Sequence, residues 1–277
     1  MRGWPVTLVE PSLLDAPVCL RPVRVRDAAI WREIRVGNAA WLRPWEPTNP
    51  ETPLYRSSIG PYVGMARTMR REARQGLALP WVVTYAGRFA GQLTVGGIVW
   101  GSARTGQVGY WIDQAAAGRG VIPTALAMAV DHCFFVVGLH RVEASIRPEN
   151  QASRRVVEKL GFREEGLRRR YLHIDGAWRD HLCYALTAED VRGGLLTRWR
   201  SVLGSQRAAR GPVPGGPDWP QSGGVSTGPQ GGQSQVPGHG PNVFGQAAAA
   251  SAPLPDSQDP GWAARPGRLG AWRPGPG

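Results

Sequence analysis

The chain contains little lysine, although it is strongly basic. Lys159 is the only lysine among 33 basic residues, and the formal net charge is +12 over 277 residues. A basic balance favours partners such as nucleic acid. The arginines are scattered, however, and so skewed a ratio is as typical of a biased codon supply as of a functional choice. Composition therefore leaves association with RNA or ribosomes open and decides nothing more.

Cysteine and long apolar runs are also scarce. The three cysteines are an odd number without the spacing of metal ligands. A reduced, cytoplasmic protein is the simplest interpretation. The N-terminus lacks a charged segment followed by an apolar run, and nowhere do 18 apolar residues follow one another, so we expect neither a secretory signal nor a membrane span. The histidines lack ligand spacing as well, and we assign no metal.

Composition divides the chain into three segments. From residue 204 to residue 277, 17 glycines and 13 prolines occur among 74 residues. A segment so rich in these residues buries too little apolar surface to offset its chain entropy. We therefore predict an N-terminal extension over residues 1–16, a folded domain over residues 17–203 and a Gly/Pro-rich disordered tail over residues 204–277.

The residue pattern of the folded segment predicts one α+β domain. Short strands come first, and strands and helices then alternate. That order predicts a sheet of mixed direction. The clearest helices are predicted over residues 27–37, 58–75, 120–137 and 150–160, with a closing helix from about residue 187.

Residues 109–120 (GYWIDQAAAGRG) hold the first chemical signal. A strand ends there, a loop of small residues follows, and a helix begins. The amides of such a loop are exposed, the helix N-terminus adds partial positive charge, and glycine lets the backbone approach a ligand closely. The pattern favours a pyrophosphate-binding loop. It lacks the spacing of a P-loop and of a dinucleotide-binding fingerprint, and a plain strand-to-helix turn is the alternative.

Residues 141–162 add a second signal. The strand RVEASI leads through RPENQAS into a helix that ends with KLGF. Asn150 is a natural helix N-cap, Ser153 lies on the same side of that helix, and Gly161 suits its left-handed C-terminal cap. In this order and spacing, the two signals resemble the GNAT acetyltransferase superfamily.

The resemblance implies the GNAT fold, a mixed and mostly antiparallel sheet flanked by helices, with acetyl-CoA as co-substrate and no metal. In that family the small-residue loop holds the CoA pyrophosphate, the preceding strand pairs with the pantetheine arm, and the Asn-bearing helix lines the thiol end. The cofactor-binding residues implied here are Trp111, Ile112, Ala117, Gly118, Arg119, Gly120, Val121 and Asn150.

Two further stretches narrow the resemblance. Residues 41–47 (WLRPWEP) and 171–181 (YLHIDGAWRDH) are similar to RimJ/RimL-type ribosomal-protein-alanine N-acetyltransferases, the RimJ branch in particular. The likeness covers about residues 17–192 and implies acetyl transfer to the N-terminal alanine of a ribosomal protein. Trp45, Glu46 and Tyr171 are the implied substrate-binding residues, with Glu46 attracting the positive charge of the amine. We expect a monomer or weak homodimer without membrane partners.

The same resemblance suggests how protons move. Ser153 matches a serine that related enzymes are thought to use as proton donor to the departing thiolate, and helix capping is its alternative role. A backbone N–H of Trp111 or Ile112 is the usual donor to the thioester oxygen in the family. An acidic residue of the family pattern is replaced here by Arg170, so its role has no counterpart. The candidates for the base are Glu143, our first choice, together with His173, Asp175 and Glu46.

Purely structural roles are the alternatives to several of these assignments. For Trp45 and Glu46 the alternative is packing within their loop. An ion pair with a nearby arginine is the alternative for Glu143. For Asp175, followed by Gly176, a hairpin turn is the favoured interpretation.

Two other functions stay open. One is a GNAT enzyme acting on a small amine such as a polyamine or an aminoglycoside. Such a site should hold several carboxylates, and residues 41–55 offer only Glu46 and Glu51. The other is a non-catalytic CoA-binding protein associated with ribosomes or RNA, which the arginine-rich residues 67–74 favour.

Overall fold

A computed structural model of the chain describes residues 3–50 and 59–210. The composition break near residue 204 falls inside the last helix, which ends at Arg210. The rest of the tail predicted to be disordered lies outside the described residues. No described helix is both long enough and apolar enough to cross a bilayer.

Within the described ranges, eight strands form one sheet. They are β1 (Leu8–Glu10), β2 (Val18–Pro22), β3 (Leu79–Tyr85), β4 (Arg88–Val99), β5 (Thr105–Ile112), β6 (Arg141–Ile146), β7 (Arg163–Ile174) and β8 (Ala177–Thr187). The order across the sheet is β1-β2-β3-β4-β5-β6-β8-β7. All neighbours are antiparallel except β5 and β6. The predicted mixed, mostly antiparallel sheet is confirmed.

Helices cover both faces of this sheet. They are α1 (Ala28–Gly37), α2 (Ala39–Leu42), α3 (Ile59–Gln75), α4 (Val121–His132), α5 (Gln151–Lys159) and α6 (Leu195–Arg210). On one face, Trp31 of α1 and Met65 of α3 belong to a buried cluster with Trp111. On the other face lies α4, which is buried on nearly all sides. A helix that is apolar all round belongs in a core, so α4 is the central support of the sheet.

Two predicted helices are interrupted. The helix predicted over residues 120–137 consists of α4 and a π-helical turn, Cys133–Val137. The closing helix predicted from residue 187 begins instead with a 3-10 turn, Ala188–Val191, before α6. Gly194 separates the two with a φ of +87°, a conformation that a continuous helix does not contain.

Residues before 17 take part in the sheet. β1 pairs with β2 as an edge strand. The Trp4 ring packs edge-on against Trp81, with the ring centres 5.3 Å apart. The buried carboxylate of Glu10 forms an ion pair with Arg200 of α6. The predicted N-terminal extension is therefore packed against both the sheet and α6.

β5 and β6 are parallel neighbours over only three residues each. Residues 105–107 pair with residues 141–143, while β5 continues to Ile112 and β6 to Ile146. Beyond these pairs the facing edges have no strand pairing, so the sheet opens as a V. β5 leads into the loop before α4 and β6 into the loop before α5, and the V therefore opens between the first turns of two helices.

Candidate active site

A cavity of about 890 Å³ fills the V and extends along the helices that border it. The end of β5 and the first turn of α5 bound its middle. The loop before α4 lines it further along, and Trp41, Leu42, Trp45, Glu46 and Pro47 line one end. The predicted cofactor-binding residues, Ser153, Trp45 and Glu46 line this cavity, whereas Glu143, Tyr171 and the base candidates His173 and Asp175 do not.

The loop between β5 and α4 supplies a curved row of backbone amides. Gly118 and Gly120 have φ values of +76° and +82°, a conformation that costs a residue with a side chain about 1–2 kcal/mol. A Cβ built on Gly118 would meet nothing within 4 Å, so the loop faces open space there. Among the described residues, no side chain caps the first turn of α4. Loop amides and the positive end of the helix dipole therefore meet at the cavity, an arrangement that binds phosphate groups.

The Asn38 side chain, at the end of α1, fixes the shape of this loop. Its amide nitrogen donates to the Asp113 carboxylate at 3.0 Å, and its oxygen accepts from the Gln114 N–H at 2.8 Å. The Ala115 N–H also donates to Asp113, at 3.2 Å. Asn38 itself is buried, so these bonds connect the exposed loop to a fixed point inside the protein.

The open edge of β5 presents the Ile112 backbone. The Asp113 N–H donates to the Ala90 carbonyl on β4 at 2.7 Å. Alternate amides of a strand point to the same edge, so the Trp111 N–H faces β4 and the Ile112 N–H faces the V. The Ile112 carbonyl, on that same edge, accepts from the Trp41 indole at 3.2 Å. Of the two predicted amide donors, Ile112 is thus the one directed at the cavity.

The first turn of α5 lies across the V. Asn150 caps this helix as predicted, since its side-chain oxygen accepts from the Ser153 N–H at 3.0 Å. Gly161 follows the helix with a φ of +81°, also as predicted. The cap uses the backbone of Ser153 and leaves its hydroxyl out. The half-buried Ser153 side chain therefore lies at the cavity wall without a capping role.

Tyr110, which was not predicted as a site residue, joins the two sides of the V. Its hydroxyl donates to the Ser153 carbonyl at 3.4 Å. Burial raises the pKa of the Tyr110 phenol, so the group stays protonated and remains a donor at neutral pH. The hydrogen bond from β5 to α5 sets the width of the cavity beside Ser153.

Residues 41–47 close the cavity with an apolar and aromatic wall that includes Trp41 and Trp45. Glu46 lines the cavity too, but its carboxylate forms an ion pair with the buried Arg35. The Arg35 guanidinium lies 5.2 Å from the ring centre of Trp111. The positive charge of Arg35 offsets that of the Glu46 carboxylate, which reduces the attraction for an amine that the sequence suggested.

Glu149 is a second carboxylate at this end of the cavity. A hydrogen bond from its own backbone N–H, with a further contribution from Arg147, lowers the pKa of Glu149. Arg147 donates to this carboxylate at 3.2 Å and to the Pro44 carbonyl at 2.7 Å. Its guanidinium also lies 5.4 Å from the ring centre of Trp45. Both carboxylates at this end are therefore paired with arginine.

The β7–β8 hairpin braces the loop that forms this wall. Thr48 Oγ1 and His173 Nδ1 are 2.7 Å apart, and Arg43 donates to Asp175 at 2.7 Å. Asp175 and Gly176 have φ values of +45° and +81°, as a type I′ turn requires. The hairpin-turn interpretation of Asp175 is confirmed, and neither His173 nor Asp175 lines the cavity.

Glu143 and Tyr171 lie outside the cavity, near the closed end of the V. Glu143 accepts from Arg141 Nε at 2.6 Å and lies 3.8 Å from Arg168. The Tyr171 hydroxyl is 3.5 Å from the Gln107 amide, and its ring centre is 4.9 Å from the Arg168 guanidinium. Gln107 stands opposite Glu143 in the parallel pair. Glu143 is therefore paired with arginine, which the sequence analysis gave as its alternative role. Neither Glu143 nor Tyr171 lines the cavity.

The far end of the cavity, beyond the loop before α4, was also missed by the sequence analysis. Arg155 and Lys159 line it from α5, and their spacing of one helical turn is a signal that could have revealed them. Leu14 and Trp199 line it from distant parts of the chain and carry no local signal. No described group of three or more His, Cys, Asp or Glu side chains is placed to hold a metal ion.

The sequence matches the family described as acetyltransferase (GNAT) domain over residues 18–163. The chain belongs to this family. Its relatives include the ribosomal protein uS5-alanine N-acetyltransferase of Escherichia coli K12, 32% identical over 201 residues, which are 70% of this chain and 100% of that protein. The probable N-acetyltransferase YjcK of Bacillus subtilis is 38% identical over 103 residues, and the match spans 37% of this chain and 57% of YjcK.

A solved structure agrees with this GNAT assignment. Mycobacterium smegmatis RimJ in complex with CoA-disulfide is 45% identical, with a TM-score of 0.68, and the match covers 72% of this chain and 96% of that one. The resemblance to RimJ/RimL-type enzymes, and the GNAT fold implied by it, are confirmed.

Proposed function

We propose that this GNAT protein transfers an acetyl group from acetyl-CoA to the α-amino group of a protein N-terminus, and that the acceptor is the N-terminal alanine of a ribosomal protein. One observation carries the proposal: a single cavity joins the amide-rich loop before α4 to the aromatic wall of residues 41–47. A transfer between two substrates needs such a passage. The name of the E. coli relative, a ribosomal protein uS5-alanine N-acetyltransferase, supports the choice of acceptor.

The residues at the loop fit acetyl-CoA, which supplies the activated acetyl group as a thioester. The amides of residues 117–121 would bind the pyrophosphate, because they form a curved row at a helix N-terminus. Arg119 adds a positive charge at the cavity wall. The Ile112 N–H, on the open edge of β5, would donate to the thioester oxygen, where such donors contribute strongly to catalysis.

The reaction does not require a strong general base from the protein. A free α-amino group has a pKa of about 7.7–8.0, so a useful fraction is neutral at pH 7.5 without a strong base. We propose that Ser153 Oγ gives a proton to the departing sulfur. Of the base candidates, Glu46 alone lines the cavity. We therefore prefer Glu46, or Glu149 at the same end of the cavity, acting through a water molecule, to Glu143, which lies outside the cavity.

The acceptor end favours an N-terminal peptide over a polyamine. A polycationic substrate requires excess negative charge, but Glu46 is paired with Arg35 and Glu149 with Arg147. The surrounding wall is apolar and aromatic. A small apolar first residue suits such a wall, and the modest charge of one α-amino group needs no carboxylate cluster.

A CoA-release assay tests the proposal. The acceptors are an alanine-starting peptide with an internal lysine, the same peptide with a blocked N-terminus, a polyamine and an aminoglycoside. Turnover with the free peptide alone is expected. Turnover with the blocked peptide or the small amines would refute the assignment to N-termini, and no turnover with any amine would favour a non-catalytic binder.

The identity of the acceptor protein requires an experiment in cells. Mass spectrometry of ribosomal proteins from cells with and without this chain should show one N-terminal alanine whose acetylation depends on it. An unchanged set of acetylated ribosomal N-termini would refute this part of the proposal while leaving the peptide activity intact.

A further inference from the structure

Four arginines form one exposed stripe on α3. Arg67, Arg70, Arg71 and Arg74 recur at helical spacing and are all exposed. Among the described residues, none of them has an ion pair within 4.0 Å. Glu72, the one carboxylate of α3, lies between Arg71 and Arg74 in the sequence and is half-buried; burial raises its pKa, and the charge of Arg71 offsets part of that rise. The stripe is thus a surface of net positive charge about 10 Å long, with one carboxylate to four guanidinium groups.

A groove of about 600 Å³ continues this stripe at the end of α3. Gln75 and Gly76, which follow Arg74 directly, form one wall of the groove. Trp100 and Phe135 line it with side chains that are 41% and 56% exposed, and Arg104 adds a further cation. The Trp100 indole donates to the Gly76 carbonyl at 3.0 Å, which holds its ring in place. The stripe and the groove together are called the basic-aromatic surface.

We propose that the basic-aromatic surface binds single-stranded RNA. The arginines of α3 would contact phosphates, while unstacked bases would lie on the rings of Trp100 and Phe135. Exposed aromatic rings beside a basic track are the means by which proteins bind single strands without reading their sequence. The bases of a duplex are stacked on one another and cannot stack on these rings. A site that bound nucleic acid by charge alone would have no need of the exposed aromatic side chains in the groove.

The surface is separate from the acetyl-transfer site. The groove lies at the π-helical turn after α4, whereas the amide-rich loop lies before the first residue of that helix. The 17 residues from Val121 to Val137 span about 25 Å. RNA binding here would bring the protein to ribosomal particles without obstructing the cavity, and its test does not depend on the proposed acetyl transfer.

Fluorescence anisotropy of the full chain with a labelled 12-nucleotide single-stranded RNA tests the proposal. The Arg70→Gln/Arg74→Gln double variant should bind about ten-fold more weakly at 100 mM salt. The slope of log K against log salt should fall in magnitude by about 1.4, because each phosphate contact on a single strand contributes about 0.7. Arg169→Gln/Arg192→Gln, which removes the same charge from exposed positions elsewhere, is the matched control and should leave affinity unchanged within about two-fold.

Trp100→Ala and Phe135→Ala should each weaken binding about ten-fold with an unchanged salt slope, since stacking is not electrostatic. All variants should acetylate a free alanine-starting peptide at the wild-type rate. Equal losses in the α3 variant and its control, tighter binding to duplex than to single strand, or no effect of the two aromatic substitutions would each overturn the proposal.

Discussion

Gly118 offers the sharpest test of the phosphate-binding loop. Its φ of +76° and the absence of any atom within 4 Å of a built Cβ mean that a longer side chain would extend into open space rather than into the protein. Gly118→Glu would place a carboxylate beside the bound pyrophosphate. Two unit charges about 4 Å apart repel by about 1 kcal/mol in water and about 4 kcal/mol near a protein surface. The expected loss in acetyl-CoA affinity is therefore about five-fold to about 700-fold.

Gly118→Gln is the matched control. Gln has nearly the same size as Glu and suffers the same backbone strain, about 1–2 kcal/mol, but carries no charge. Isothermal titration calorimetry of both variants with acetyl-CoA at two salt concentrations isolates the electrostatic part, which salt should weaken. If the Glu and Gln variants bind acetyl-CoA equally well, the pyrophosphate does not lie at this loop and the placement of the cofactor is wrong.

Three further changes address other parts of the molecule. Ser153→Ala should lower kcat by about 10²-fold or more with little change in acetyl-CoA affinity, and Ser153→Thr should restore part of it; unchanged kcat in the alanine variant would remove the serine from the mechanism. Gly91→Ala would place its Cβ 2.2 Å from the Trp111 carbonyl oxygen, and we expect a loss of about 1–3 kcal/mol in unfolding free energy, measured by urea denaturation; wild-type stability would contradict this contact. Asp190, 2.5 Å from Arg163, has its pKa lowered from 3.8 to about 2 by that arginine. Its contribution to stability, about 1 kcal/mol after allowance for the exposure of the pair, is present above pH 4 and lost as the pH falls through 2, so the stability gap between wild type and Asp190→Asn should close over that range; a gap independent of pH would contradict the ion pair.

The parts of the site built from neighbouring residues could be predicted from the sequence. The cap by Asn150 and the turn at Gly161 depend on residues within one helix, and the loop with Gly118 depends on consecutive backbone angles. Helix-capping rules and glycine conformation act over a few residues. For that reason a single sequence was enough to find these features and to bring the family resemblance to light.

Features that depend on distant partners could not be predicted. Asn38 braces a loop 75 residues further along the chain, and no local pattern announces it. Glu46 looked like an acceptor-attracting carboxylate because its partner Arg35 becomes visible only when α1 is packed. For Glu143 an arginine pair was already the alternative, since Arg141 lies two residues away. The sequence could not show that Arg168 of β7 also lies near this carboxylate, or that Glu143 lies outside the cavity.

Leu14 and Leu203 bring the two ends of the folded chain to the cofactor end of the cavity. The segment with Leu203 is fixed in this position, because the indole of Trp199, one turn before Leu203, donates a hydrogen bond of 2.9 Å to Thr124 of α4. A substitution that loosens either segment would consequently change the shape of the cavity beside the loop before α4, although it lies far from that loop in the sequence. Acetyl-CoA affinity is therefore expected to respond to changes in the packing of these two segments as well as to changes in the loop itself.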